Sequence, residues 1–273
     1  MSRSLNGLRV ALTGGARGIG LATAIELTRL GAKVTIGDLD LDIAQAAAAA
    51  NGLEGATQLD VTDRSSYAKF LADAGAAGPV DVLINNAGIM PIGGFLEQSP
   101  ETYRRVFDIN VMGCLHGMHL ALPGMVERGS GHVVNVASTA GRSPVPGGLA
   151  YCGSKAAVRH LTETARVEFG RAGIDFTCVF PHFTNTELIA GTKGMKLLPT
   201  VEPSDVAHAI ARAIAKRKKD VTVPKVVGPM LSTQPAMGRR LRDGLSRRLG
   251  AYDTFLDIDT TKRAGYDDRV RNS

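Results

Sequence analysis

The chain has 273 residues, 44% of them hydrophobic and 21% charged, which is enough apolar mass for one large α/β domain or two small ones. With 32 glycines, no tryptophan and 5% aromatic residues, the composition excludes disorder and fits a Gly-turned α/β protein better than a stacking platform for single-stranded nucleic acid. The net charge of +6 gathers partly in two runs. Lys216, Arg217, Lys218 and Lys219 read as a solvated helix end, and Arg239, Arg240, Arg242, Arg247 and Arg248 lie near the C-terminus; no nucleic-acid partner is expected.

Cys114, Cys152 and Cys178 are odd in number and lack metal-ligand spacing, so neither a disulfide framework nor a metal site is expected, and a reducing compartment is. The first residues hold no apolar core of signal-peptide length, and no apolar run reads as long enough to span a bilayer. A cytoplasmic protein is the expectation.

In chain order, residues 8–13 read as a buried strand running into Gly14, Gly15, Ala16, Arg17, Gly18, Ile19 and Gly20, and a helical pattern follows through Leu21, Ala24, Ile25, Leu27 and Leu30. Strand, glycine-rich turn and helix make a phosphate-binding design, because glycines allow close backbone approach and a helix N-terminus offers free amides. The spacing is Gly-x-x-x-Gly-x-Gly. A second strand, 32–37, ends at Asp38, about 20 residues after the turn, where a carboxylate bonds adenosine ribose hydroxyls and repels a 2′-phosphate. That favours NAD over NADP. Arg17, in the turn, argues the other way, and Asp38 also reads as a helix N-cap for the Ala-rich segment behind it.

Strands over 56–59 and 80–84 end in polar clusters, Asp60-Val61-Thr62 and Asn85-Asn86-Ala87-Gly88. Ligands bind at that edge of a parallel sheet. A helix from about 100 to 126 carries Asn110, a poor mid-helix residue that is either exposed or committed to a functional hydrogen bond. Another buried run, 132–137, ends at Ser138, and a Gly/Pro loop leads into a helix from Leu149 to about Ala172. Tyr151 and Lys155 are four residues apart, so they share one helix face. They form either an ordinary solvated pair or a phenol whose pKa an adjacent ammonium lowers, fit to exchange a proton with an alcohol or carbonyl oxygen that Ser138 also binds. Beyond lie a strand over 174–180 stopped by Pro181, an irregular lid-like segment 182–200, a helix over 203–216 and a last strand at 221–223.

Taken together, these motifs resemble the short-chain dehydrogenase/reductase family over roughly residues 5–227: Thr13 to Gly20, Asp60-Val61, Asn85-Asn86-Ala87-Gly88, Asn110, Ser138 and Tyr151-x-x-x-Lys155, all in the family's order. The resemblance implies a Rossmann-type doubly wound parallel sheet of about seven strands, a catalytic domain over residues 1–230, and usually a homodimer or homotetramer. It implies that Tyr151 is the general acid/base, that Ser138 orients the substrate oxygen, that Lys155 holds the nicotinamide ribose and lowers the tyrosine's pKa, and that Asn110 anchors a proton-relaying water. Asp60 and Val61 would meet the adenine, and Asn86, Ala87 and Gly88 the adenosine ribose. Where the family commonly has Pro-Gly and then a Thr contacting the nicotinamide carboxamide, this chain has Pro181-His182 and Thr186, so His182 is either a loop histidine or a second group near the substrate.

The chain continues as a basic extension, 231–273, in which Met237, Leu241, Leu245 and Leu249 make an amphipathic stripe. Packing on the parent domain or a partner subunit ranks first for it, a substrate lid second and contact with an acidic membrane third. The apolar residues Ile89, Met90, Pro91, Ile92, Val145, Pro146, Leu149, Leu188, Ile189, Met195, Leu197 and Leu198 lie where the family builds its substrate pocket. The expected activity is NAD-dependent oxidation of a hydrophobic secondary alcohol, such as a steroid, terpenoid or acyl-chain alcohol. The alternatives are an NADPH-dependent ketone reductase and a non-catalytic dinucleotide-binding sensor or assembly protein.

Overall fold

The computed structural model describes residues 2–193, 200–233, 238, 240, 244, 248, 250 and 252–272. Strand β1 (Arg9–Thr13) leads into α1 (Gly18–Arg29), β2 (Lys33–Asp38) into α2 (Leu41–Asn51) and β3 (Gly55–Gln58) into α3 (Arg64–Ala74). After β4 (Val82–Asn85) come α4 (Pro100–Phe107) and α5 (Gly113–Glu127), after β5 (Gly131–Val136) comes α6 (Leu149–Glu168), and after β6 (Ile174–Pro181) comes α7 (Pro203–Lys216). The strand β7 (Asp220–Val223) completes the sheet, followed by α8 (Val227–Thr233) and α9 (Thr260–Asn272). All seven strands pair in parallel in the order β3-β2-β1-β4-β5-β6-β7.

Two apolar layers sandwich the sheet. One face buries Leu12, Ile36 and Ile84 against Leu27 of α1, Ala44 of α2 and Ile210 of α7. The other buries Leu83, Val133 and Phe176 against Phe70 of α3, Met118 of α5 and Val158 of α6. Coverage on both faces explains why the central strands read as unbroken apolar runs. Each fully buried Leu, Ile or Phe contributes roughly 1.5–3 kcal/mol. Strand order reverses between β1 and β4, and the crevice that opens there at the C-terminal strand ends is where such sheets bind ligands.

The expected helix over 100–126 is interrupted. Residues Asp108–Met112 form a single π turn between α4 and α5, and Asn110 sits in it. The combined helical run Pro100–Glu127 is long and apolar enough, by length and composition, to cross a membrane, which corrects the sequence expectation that no run qualifies. Here it packs Val106, Cys114, Met118, Leu122 and Met125 inward. The boundary expected at residue 230 falls inside α8. The expected stripe of Met237, Leu241, Leu245 and Leu249 lies outside the described residues, as do Met195, Leu197 and Leu198.

Candidate active site

A continuous cavity of about 670 Å³ runs across the C-terminal ends of the strands. One arm is the glycine turn. Gly14 and Gly18 take positive φ, +65° and +54°, which other residues adopt only under strain. A Cβ on Gly20 would lie 2.0 Å from the Gly14 carbonyl oxygen, so nothing larger than glycine fits. Arg17 at the N-cap of α1 makes no side-chain cap, which leaves the first amides of the helix for a ligand. This cradle fits a dinucleotide pyrophosphate. Asn86 braces it: its Nδ2 donates to the Thr13 and Gly14 carbonyls at 3.0 and 2.9 Å, and the Thr13 hydroxyl accepts from the Asn86 and Ala87 amides, both at 3.0 Å. The Asn86 amide is thus committed to the turn itself. Ala87 and Gly88 continue the wall.

At the far end of that arm stand Asp38, Asp40 and Asp60. Asp38 Oδ2 accepts the Ala16 amide at 3.0 Å, which locks the carboxylate beside the turn. It does not cap α2, whose N-cap is Asp40. Arg17 donates to Asp40 at 2.8 Å, so its charge is already partnered. Asp60 accepts from the amide and hydroxyl of Thr62 at 2.8 and 2.7 Å, next to Val61. Three carboxylates and Arg17 thus line this end of the cavity.

In the middle of the cavity, Ser138 caps a 3-10 turn, Thr139–Gly141, and its Oγ accepts the Ala140 amide at 3.1 Å. Helix α6 turns Tyr151, Ser154 and Lys155 inward, and Tyr151 and Ser138 line the cavity together. Lys155 Nζ lies 5.9 Å from the Tyr151 ring centroid and donates to the Val136 carbonyl at 2.9 Å. Asn110 is buried: its Oδ1 accepts the Ile89 amide at 2.8 Å, and its Nδ2 donates to the Ile89 carbonyl and to Ser154 Oγ at 3.0 and 2.9 Å. Ser154 gives its own proton to the Tyr151 carbonyl at 2.8 Å. The π turn therefore carries Asn110 into contact with both the strand-end loop and α6. Beside it lies a void of about 10 Å³, room for about one water. Sequence reasoning missed Ser154, and no local pattern separates it from any other helical serine.

The electrostatics differ from the expectation drawn from Tyr151 and Lys155 alone. Burial raises the Tyr151 pKa above the ordinary tyrosine value, with Ser138 opposing that shift, so the phenol is a proton donor in the ligand-free protein. Burial also lowers Lys155 to about 8, from the usual 10.5. Both groups sit in a low-dielectric pocket, and desolvation is the largest cause of each shift.

The second arm of the cavity is apolar. Met90, Ile92, Ala140 and Phe255 pack around Tyr151, with Val145, Phe183, Leu188 and Ile189 behind them. His182 lines this arm, with Nδ1 3.1 Å from the Thr139 hydroxyl and a buried Nε2 without a partner. Burial lowers its pKa to about 4, so the ring is neutral. Pro181 and Thr186 also line the cavity. A Cβ on Gly18 would touch Thr186 Cγ2 at 3.2 Å, so the threonine lies over the glycine turn.

The C-terminal segment supplies part of the same wall. Phe255 is 2% exposed and packs on Gly147 and Gly148. Arg263, 1% exposed, donates to the carbonyls of Leu188 and Ala190 at 2.8 and 3.2 Å and to that of Met90, and it pairs with Asp267 at 3.0 Å. Arg269 pairs with Glu187. Residues 252–272 thus pack on the parent domain and wall the apolar arm. Sequence reasoning missed Arg263 and Tyr266 entirely.

Residues 9–196 match the family model for short chain dehydrogenases. The chain belongs to the short-chain dehydrogenase/reductase family. Its 2,5-dichloro-2,5-cyclohexadiene-1,4-diol dehydrogenase relative LinX from Sphingobium indicum is 36% identical over 70% of this chain and 78% of that protein. Human estradiol 17-beta-dehydrogenase 11 is 29% identical over 93% of this chain and 87% of that one. Among solved structures, a short-chain dehydrogenase/reductase from Burkholderia phymatum in complex with NAD superposes with a TM-score of 0.77 at 26% identity, covering 89% of this chain and 96% of that one. As a member of this family the protein is an oxidoreductase acting on CH–OH donors with NAD(P).

Proposed function

We propose that this enzyme oxidises a hydrophobic secondary alcohol with NAD. The observation that carries the reading is one cavity with two unlike arms meeting at Tyr151: a glycine cradle ending in Asp38, Asp40 and Asp60, and an apolar chamber of Met90, Val145, Leu188 and Phe255. The carboxylates support NAD over NADP. The paired state of Arg17 supports the same choice, since its charge is held by Asp40. The apolar chamber supports a greasy alcohol, in line with the diol and estradiol named for the two relatives.

Nicotinamide, when bound, supplies the hydride acceptor. This chain's residues do the rest. Ser138 and Tyr151 fix the reacting oxygen from two sides, and Tyr151, in its ionised form, accepts the hydroxyl proton that oxidation releases. Lys155 places an ammonium below the ring, which favours the ionised phenol and leaves two N–H groups for ribose hydroxyls. Asn110 ties the loop at Ile89 to α6, so the phenol and the substrate loop keep one geometry. Assembly as a homodimer or homotetramer belongs to this reading and is supported by exposed apolar side chains on α6, Leu149 and Val167, at the end of α4, Phe107, and in the π turn, Met112.

The test is a fluorescence titration with NADH and NADPH, run alongside NAD-dependent turnover of bulky secondary alcohols. Tighter NADH binding with turnover supports the reading. Tighter NADPH binding would make the enzyme a ketone reductase instead.

A further inference from the structure

We propose that Tyr266 of α9 is a specificity-determining residue that donates a hydrogen bond to a second oxygen of the substrate, distinct from the oxygen that reacts at Tyr151. The inference deepens the proposed alcohol oxidation and rests on it.

Tyr266 is 7% exposed and lines the same cavity as Tyr151 and Ser138. Its phenolic oxygen accepts the Met90 amide at 2.7 Å. No acceptor among the described residues is paired with its own proton, and a buried donor left in that state is costly. The cavity wall that Tyr266 shares with Met90, Val145, Leu188 and Phe255 is largely apolar. A ligand oxygen that displaces solvent from this cavity can accept that proton.

The hydroxyl is held in place from two directions. The Met90 amide fixes the oxygen, and the Arg263 guanidinium lies 4.6 Å from the ring centroid. Arg263 is itself fixed by three backbone carbonyls and Asp267. Such preorganisation is what a recognition group requires. With its oxygen occupied by Met90, Tyr266 acts as a donor, so its partner is a hydroxyl, carbonyl or ether oxygen and not an ammonium. Tyr266 and Tyr151 line the same cavity, so both substrate oxygens belong to one apolar skeleton that fits within it. The ligand class is a diol, hydroxyketone or hydroxyether on a hydrophobic frame.

The experiment compares matched alcohols with NAD: cyclohexane-1,4-diol against cyclohexanol, and estradiol against its 3-deoxy analogue. A neutral hydrogen bond that the mono-oxygenated analogue leaves unmade predicts a kcat/KM advantage of about tenfold for at least one doubly oxygenated member. Tyr266→Phe, which keeps the ring under Arg263, collapses that ratio to near one, chiefly through KM, while NADH affinity is retained. Equal kcat/KM within both pairs for the wild-type enzyme overturns the inference even if the variant fails to fold. So does a variant that loses both members of a pair in equal proportion. An enzyme that turns over none of the four refutes the alcohol-oxidation reading, and this inference falls with it. Turnover with a flat ratio refutes this inference alone.

Discussion

Replacing Lys155 by Met is expected to stabilise the ligand-free enzyme while destroying its activity. Burial lowers the Lys155 pKa from 10.5 to about 8, which at pH 7 corresponds to roughly 3 kcal/mol against folding with the ammonium charged. Met fills a similar volume without that charge. It also leaves the Val136 carbonyl, now 2.9 Å from Nζ, without its donor, at a cost of about 1 kcal/mol. The variant should therefore be about 2 kcal/mol more stable at pH 7. The sign follows from proton counting. Between pH 8 and 10.5 the unfolded chain binds the proton and the folded protein does not, so wild-type stability rises with pH and the variant's advantage shrinks to roughly nothing near pH 9.5. Urea unfolding of both proteins at pH 7 and 9.5, without cofactor, reads this directly. A variant less stable than wild type at pH 7, or an advantage that does not change with pH, would refute the reasoning.

Replacing both Asp38 and Asp40 by Asn removes two charges from the adenosine subsite and releases Arg17, so the NADPH-to-NADH affinity ratio should rise by roughly tenfold or more; an unchanged ratio in a fluorescence titration would show that these carboxylates do not face the cofactor. Gly20→Ala forces a Cβ to 2.0 Å from the Gly14 oxygen and should both abolish NADH binding and lower stability by about 1–3 kcal/mol, measured by titration and thermal melting. Burial lowers His132 to about 3 and His182 to about 4. Below pH 6.5 the unfolded chain takes up protons that the folded protein refuses, so stability present above that pH is lost as it falls, by about 2 kcal/mol per histidine at pH 5. Equal urea midpoints at pH 7 and 5 would contradict this.

The sheet was legible because each central strand is buried on both faces and so writes itself as an apolar run such as 132–137. The glycine turn was legible because each glycine answers a backbone demand: Gly14 and Gly18 take positive φ, and Gly20 leaves no room for a side chain. Asn110 carried a true local signal: a residue unsuited to a helix marks the π turn that interrupts one. The pKa directions were not legible, since spacing shows which groups are neighbours but not how much water they lose. The C-terminal wall was invisible for a different reason. Arg263 joins Met90 across 173 residues, and nothing in the sequence around a lone arginine announces that it will be buried.

The most direct test of the account is NADH formation from NAD and a bulky secondary alcohol by the wild-type enzyme and by Tyr151→Phe, with NADH affinity measured in parallel. Loss of the proton-exchanging phenol should lower kcat by about 10²–10⁴-fold while the glycine cradle still binds NADH. A Tyr151→Phe enzyme that oxidised the alcohol at close to the wild-type rate would contradict the placement of the chemistry at this residue.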